Sequence, residues 1–351
     1  MPEPEASPDV TQPDVPAGGA GAPGETDPLR DFVGDATARG MPVDAGTIEI
    51  SAVETGPEVR RRRGRGIGVA GWLSIGWLAL VVGLALLAPI LPIDDPKEIT
   101  TEIARRGPFA DAGTAPGHLL GGDYNGRDML SRLIWGGRTT LVVATAAVAL
   151  GFVLGGALGL LGGYFRGKVD VVVSGLLDVF LAIPAVILAL ALVVILRTPP
   201  GAEGSGGLDA TTSLILAIGL VSIPVLGRIT RASTLSWSER EFVLAARAQG
   251  ATHRRIVIRE VLPNVLPAMF SIALLGIAVA IVAEGTLSIL GASVESDTPT
   301  WGNMIAIGRS SLQRAPHIVF EPALMIFLTV LSLNMLGDVV RARFDVREGG
   351  L

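Results

Sequence analysis

The sequence contains no cysteine among its 351 residues, which excludes disulfide bonds, zinc–thiolate centres and thiol catalysis. Histidine is almost as scarce. His118, His253 and His317 lie far apart and form none of the short spacings typical of a metal site. Ser131 and Ser288 do not form a triad-like group with these histidines, so the sequence predicts neither an enzyme nor a metal-binding protein.

Motifs that bind nucleotide phosphates are also lacking. There is no G-x-x-x-x-G-K-[ST] segment, because the one Gly-Lys pair, Gly167-Lys168, is followed by Val169. Residues 66–71 match G-x-G-x-x-G by letter, but no strand precedes them and they begin an uncharged apolar run. We therefore expect no cofactor in this chain and no ATP bound by the usual loop.

Charge is sparse and unevenly placed. Charged residues make up 17% of the chain and hydrophobic residues 49%, with a mean hydropathy of +0.54, as in an integral membrane protein. Residues 1–59 hold 12 acids and 2 arginines and so carry a net charge of −10, whereas the whole chain carries −5; the remainder is therefore mildly basic, at +5. Rich in Pro, Ala and Gly and without an apolar period, residues 1–59 are predicted to be a disordered tail with no assigned role.

Long apolar runs predict an all-α integral membrane fold with six transmembrane helices. The layout is a basic flank and first span at 60–93, a loop at 94–138, and a five-helix core at 139–347. The later spans are expected at about 139–165, 171–196, 210–227, 261–290 and 322–340. Glycines at four-residue steps in the second span (Gly151, Gly155, Gly159 and Gly163) predict close helix contact, and Pro184 and Pro224 predict kinks in the third and fourth spans.

The distribution of Lys and Arg predicts the orientation. Seventeen of these residues flank the spans on the side of the N-terminus, and nine lie on the other side. By the positive-inside rule, both termini and the loop 238–263 are expected in the cytoplasm of a multi-pass protein of the cell (inner) membrane.

The loop 238–263 has the pattern of a short helix, a break and a second short helix. Good helix formers occupy 241–249, Gly250 is a natural stop, and Thr252 can cap the basic turn that follows. Small alanines let a groove wall come close, so such a helix can be presented to a soluble partner. The simpler interpretation is that its basic residues only set the topology.

The order Ala245-Ala246, Gly250 and Leu262-Pro263 resembles the "EAA" coupling motif of ATP-binding-cassette importer permeases, with the spacing of that motif. Leu244 stands where the motif has Glu, and Glu260 where it has Ile. Glu241 can serve for the missing Glu from the preceding turn.

Further segments resemble the dipeptide/oligopeptide (and nickel) subfamily, C-type subunit. These are residues 118–134, which contain Asp123, Gly126, Arg127 and Asp128; Asp178 to Pro184; 283–291 with Glu284 and Ser288; 299–304 with Trp301; and 336–347. Gly122 and Val346 replace the Thr and the Pro of the pattern. The resemblance covers about residues 67–347.

This resemblance implies a six-span subunit with the type I ABC importer permease fold. It implies as partners a homologous second permease, two ABC ATPase subunits that use ATP and Mg²⁺, and an extracytoplasmic substrate-binding protein; the chain also contacts membrane lipid, and no nucleic acid is expected. The residues implied to couple to the ATPases are Glu241, Ala245, Ala246, Gly250, Arg254, Arg255, Leu262 and Pro263. Asp178, Pro184, Glu284, Ser288 and Trp301 are implied to have pathway or structural roles, and Asp123, Gly126, Arg127 and Asp128 to form a motif of the extracytoplasmic loop.

Two other classes stay open at this point. An ion-coupled secondary transporter would use an intramembrane carboxylate, for which Glu284 is the candidate. A membrane scaffold would conduct nothing. Within the importer class, peptides are the expected cargo, and nickel or another small solute is the alternative.

Overall fold

The computed structural model describes residues 68–108, 118–198, 207–292, 294–295 and 297–348, with side chains described as far as residue 342. The predicted tail, 1–59, and the basic flank that follows it lie outside the described residues.

Within the described residues the chain is helical, and the only β pairing is an isolated bridge between Gly122 and Asp128. The helices are α1 (Val69–Leu87), α2 (Met129–Phe165), α3 (Gly167–Ala182), α4 (Ala185–Arg197), α5 (Ala210–Ser238), α6 (Glu241–Ala248), α7 (His253–Ile289), α8 (Trp301–Gly308) and α9 (His317–Glu348). Short 3₁₀ turns lie at Thr101–Ile103 and Arg309–Ser311. The predicted all-α class is confirmed.

Five of these helices are long and apolar enough to cross a membrane, and α3 and α4 together make a sixth span. The two form an angle of 88° at their junction. The pair runs from one end of the bundle to the other: Asp170 of α3 pairs with Arg231 near the end of α5, whereas Arg197 of α4 donates to the carbonyl of Ala210 at the start of α5. It is therefore a broken span rather than a loop that returns to its own side.

The third span was expected to be one kinked helix, and that expectation is wrong because the helix stops at Pro184. Proline disfavours helical backbone in the residue before it, and Ile183 accordingly has extended dihedrals, φ −93° and ψ 129°. Proline also lacks the N–H that would continue the ladder, and Pro184 is instead the N-cap residue of α4. Pro224, in contrast, lies inside α5 without ending it.

The predicted loop 94–138 is too long, since α2 begins at Met129. Asp128 caps this helix by accepting a hydrogen bond from the Ser131 backbone N–H at 2.7 Å. Arg132, a charged residue within the predicted loop, is buried in the first turn of α2 beside Asp123. Likewise, α5 continues beyond residue 227, and its Arg228 and Arg231 are paired with aspartates of α3.

The glycine ladder of α2 packs directly on α5, as predicted. A Cβ at Gly155 would overlap the carbonyl oxygen of Ile223, and one at Gly159 would overlap that of Gly227. Only glycine allows two backbones to approach this closely, which is how small residues drive helix association in lipid. α2 and α5 therefore form the central pair of the bundle, with α7 packed on both and α9 packed on α7 and α1.

This packing predicts that an alanine substitution destabilises the protein at Gly159 and leaves its stability unchanged at Gly76. Gly159→Ala adds a methyl group that meets backbone, so we expect a loss of about 1–3 kcal/mol of stability. The measurement is the thermal unfolding midpoint of the purified chain in detergent. Gly76→Ala in α1 is the matched control, because its Cβ would enter open space. Equal midpoints for the two variants would contradict the packing described here.

Candidate functional site

Residues 238–263 form a bent arm at one end of the bundle, called here the coupling end. α6 ends at Ala248, and Gly250 follows with φ +77°, a left-handed conformation that favours glycine. The predicted cap is confirmed, since the Thr252 hydroxyl accepts from the Arg255 N–H at 3.4 Å. The predicted second short helix is wrong as a separate element, because residues from His253 onward are continuous with α7.

A π-helical stretch, Ile256–Val261, joins the arm to the span. Within it the N–H of Leu262 donates to the carbonyl of Val257, five residues back. Pro263 follows at once and has no N–H to give, so the wider register keeps a donor in use where the proline interrupts the ladder. The basic turn is thereby connected to α7 without a loop.

The inner side of the arm is anchored on the end of α2. Val243 and Ile256 are fully buried and belong to one apolar cluster with Tyr164. The Tyr164 hydroxyl lies 2.9 Å from His253 Nδ1, and the guanidinium of Arg247 stacks 5.4 Å from the centre of the Tyr164 ring. The arm is thus held against the end of α2 by packing and by polar contacts.

Most of the residues that the resemblance implies to couple to ATPases lie on the outer side of the arm, whereas Ala246 packs against the inner apolar cluster. Glu241, Ala245, Gly250, Arg254, Arg255 and Pro263 are exposed, and Ala246 and Leu262 are partly buried. Small and basic groups are therefore accessible around the turn at Gly250. Such a surface suits a groove in a soluble protein.

At the opposite end, called here the loop end, Glu284 is fully buried. Its Oε1 accepts hydrogen bonds from Ser288 Oγ at 2.9 Å and Thr300 Oγ1 at 2.8 Å. Thr300 Oγ1 in turn accepts from the Asn303 N–H and caps α8. The contact between Glu284 and Thr300 therefore ties α8 to α7, while Ser288, on α7 itself, supports the carboxylate; both Glu284 and Ser288 are buried.

Trp301, the first residue of α8, joins this helix to α2 by two hydrogen bonds. Its indole N–H donates to the Leu133 carbonyl at 2.9 Å, and its backbone N–H donates to Thr140 Oγ1 at 3.2 Å. Sequence reasoning missed Thr140 and Thr300. Thr300 carried a signal, because a threonine just before a helical run is a natural N-cap.

The motif residues at 123–128 organise the loop end. Asp123 Oδ1 accepts from the backbone N–H groups of Asn125 and Arg127 at 2.8 and 2.9 Å, and its Oδ2 lies 3.6 Å from Arg132 Nε. Gly126 has φ +85°, and its carbonyl accepts from the Thr100 N–H at 2.8 Å. The motif thus closes a tight turn against the segment that follows α1.

A surface ion pair crosses the loop end, with Lys97 Nζ 2.7 Å from Asp297 Oδ2. Hydrogen bonding to Lys97 lowers the pKa of Asp297, and the same contact raises the pKa of Lys97. The pair is therefore present above the lowered pKa of Asp297 and is lost as the pH falls through it. Since both groups are exposed, this contact adds little to stability.

Asp178 lies on an exposed face of α3, paired with Arg228 of α5. Their side chains are 58% and 55% exposed, among the exposed apolar residues Val179 and Val225. Charges within a span avoid hydrocarbon and face protein or water. An exposed ion pair of this kind is expected to face protein or water, and α3 ends at Ala182, just before Pro184.

The fold defines a class, the polytopic helical membrane proteins. In this chain the long helices connect the arm at one end of the bundle to the ordered loop at the other end. The family described as "binding-protein-dependent transport system inner membrane component" matches residues 150–348. The chain belongs to this family, which comprises membrane subunits of ABC importers.

Particular relatives are similar over most of their length. The chain is 34% identical to the dipeptide transport system permease protein DppC of Alkalihalophilus pseudofirmus over 262 residues, covering 75% of this chain and 81% of that protein. It is 32% identical to the glutathione transport system permease protein GsiD of Pectobacterium atrosepticum over 270 residues, covering 77% and 84%.

Among solved structures, an inward-facing conformation of the MetNI methionine ABC transporter matches with a TM-score of 0.51 and 21% identity, covering 61% of this chain and 97% of that one. This likeness supports the type I importer permease fold.

The buried contact of Glu284 generates a prediction. Thr300→Val keeps the side-chain volume but removes the hydroxyl that donates to Glu284 and caps α8, so we expect a loss of about 1–3 kcal/mol. Thermal unfolding in detergent measures it. Thr300→Ser keeps the hydroxyl and is expected to stay near the parent; if both variants unfold at the same temperature, the hydroxyl has no such role.

Proposed function

We propose that this chain is a permease subunit of an ATP-driven importer of di- or oligopeptides. The observation that carries the proposal is the similarity to DppC and GsiD, which extends over more than four-fifths of each relative. A second, homologous permease subunit completes the pathway, and an extracytoplasmic binding protein delivers the substrate. The chain itself hydrolyses nothing.

In this proposal the arm at residues 238–263 couples the pathway to two cytoplasmic ATPases, which use ATP and Mg²⁺. The arm has the properties that force transmission needs: an exposed outer face, a buried inner face and a continuous helix into α7. A displacement of α6 is passed to α2 through Tyr164 and to α7 through the π-helical joint. Both termini and the arm are assigned to the cytoplasm.

The second permease is assigned to the face that carries Asp178 and Arg228. An exposed ion pair on an apolar bundle needs cover from protein or water, and a pathway between two subunits provides both. The right-angled break at Pro184 supports this assignment, because non-helical backbone inside a membrane is tolerated only where it lies against protein or a water-filled cavity.

A secondary carrier driven by Glu284 is less well supported, since that carboxylate is enclosed by Ser288 and Thr300. Purification distinguishes the two classes. An importer permease co-isolates with ATPase subunits, and peptide uptake into liposomes requires those subunits and ATP. Peptide uptake by this chain alone, driven by an ion gradient, would contradict the proposal; uptake of nickel instead of peptide would revise only the cargo.

The arm yields a specific variant, Gly250→Asp. A Cβ here meets no atom within 4 Å, and aspartate is among the residues that tolerate a left-handed conformation, so the chain is expected to fold and insert. The added carboxylate lies on the proposed docking surface, and we expect ATP-dependent uptake to fall at least tenfold. The measurement is uptake into proteoliposomes, with membrane insertion assayed separately.

Gly167→Asp is the matched control, because Gly167 also has a positive φ, lies in open space and belongs to the same end of the bundle, outside the arm. Its uptake is expected to stay near that of the parent. If Gly250→Asp transports normally, or if both variants lose uptake equally, the arm is not the coupling device.

A further inference from the structure

Three side chains that are far apart in the sequence meet at the loop end. Asp94 lies beyond the end of α1, His118 belongs to the loop, and Asp128 caps α2. One potential ligand atom from each lies within 4.8 Å of the other two. The spacing of His118 along the chain gave no sign of this group.

The distances suit a bound cation. His118 Nδ1 lies 2.9 Å from Asp128 Oδ1 and 3.5 Å from Asp94 Oδ2. Two ligands of a tetrahedral ion with bonds of about 2.0–2.1 Å are themselves about 3.3 Å apart, so both distances fall near the separation expected around one metal. An imidazole with two carboxylates is a donor set that first-row divalent metals accept.

The surroundings are acidic and leave room for further ligands. The three residues border a cavity of about 230 Å³, together with Glu98 and Thr100. No Lys or Arg is among the described residues that line it. Asp94, Glu98 and Asp128 bring three carboxylates to this cavity, and a divalent ion offsets their charge.

A second acidic group lies nearby without a partner. Both carboxylate oxygens of Glu321 are buried and have no hydrogen-bond partner. Glu321 lies one turn along α9 from His317, whose ring contacts the Gly122 carbonyl at 3.2 Å, and it is close enough to Asp128 to interact with its charge. Glu321 is not among the described residues that line the cavity, so the candidate site is defined by Asp94, His118 and Asp128.

We propose that Asp94, His118 and Asp128 bind one divalent transition-metal ion, with Zn²⁺ as the representative probe. Water and Glu98 at the cavity wall complete its coordination. The ion connects the segment after α1 to the start of α2, where Ser131 Oγ already donates to the Asp94 carbonyl at 2.5 Å and Arg132 to that of Pro96 at 3.1 Å. Binding therefore stiffens the loop end, and this inference does not depend on the transported substrate.

The test is equilibrium dialysis of the purified full-length chain in detergent, stripped with chelator and titrated with Zn²⁺, with bound metal measured by mass spectrometry. We expect one saturable equivalent per chain. Asp94→Asn removes a ligand that is half exposed and leaves the cap of α2 intact, so the chain should fold and bind Zn²⁺ at least tenfold more weakly. His118→Gln should bind more weakly still.

Asp95→Asn is the control, a neighbouring exposed carboxylate outside the cavity. It should bind Zn²⁺ like the parent. Limited proteolysis supplies a second measurement: Zn²⁺ should slow cleavage after α1 in the parent and in Asp95→Asn, and have no such effect in Asp94→Asn. If no saturable equivalent binds, or if Asp94→Asn and Asp95→Asn bind alike, His118 and Asp128 are only a hydrogen-bonded helix cap.

Discussion

The close approach of α2 and α5 is the constraint on which the rest of this structure depends. In lipid there is little hydrophobic gain from bringing two helices together, so the association relies on van der Waals contact between backbones. Gly155 and Gly159 make that contact possible by leaving no Cβ in the way of the α5 carbonyls. The other spans pack around α2 and α5, and the distance between these two helices is set by contacts between their backbone atoms.

Polar side chains within this bundle also join neighbouring helices, through ion pairs and hydrogen bonds. Asp170 and Asp178 of α3 are paired with arginines of α5, which holds a broken span against the central pair. Glu284 instead accepts hydrogen bonds at Oε1 from two hydroxyls, and the one from Thr300 holds α8 in place. Because lipid offers no hydrogen-bond partners, polar groups in a span pair with other groups of the protein. These pairs therefore lie where two helices are in contact.

The two ends of the bundle are linked through its long helices. α2 and α7 both extend from the coupling end, where Tyr164 contacts His253, to the loop end, where Trp301 contacts α2 and Glu284 contacts α8. A rigid displacement of the arm can reach the loop end without crossing a flexible joint. The proposed coupling role and the proposed metal site thus lie on opposite ends of the same continuous helices.

Much of the fold, and the position of the arm, could be predicted from the sequence. Apolar runs of membrane length determined the helical class and the number of spans, because a backbone in lipid has few other ways to satisfy its hydrogen bonds. The glycine steps determined the face of α2 that packs, and Gly250 determined where the arm turns, because these are local properties of the chain. The break at Pro184 was not predicted, since proline is often tolerated within a span. The early start of α2 at Met129 was not predicted either, because the polar loop was drawn as far as residue 138 and the burial of Arg132 beside Asp123 depends on the tertiary structure. Only the tertiary structure decided that Glu284 is enclosed and that Asp94, His118 and Asp128 converge, because those contacts join segments whose spacing along the chain says nothing about their distance in space.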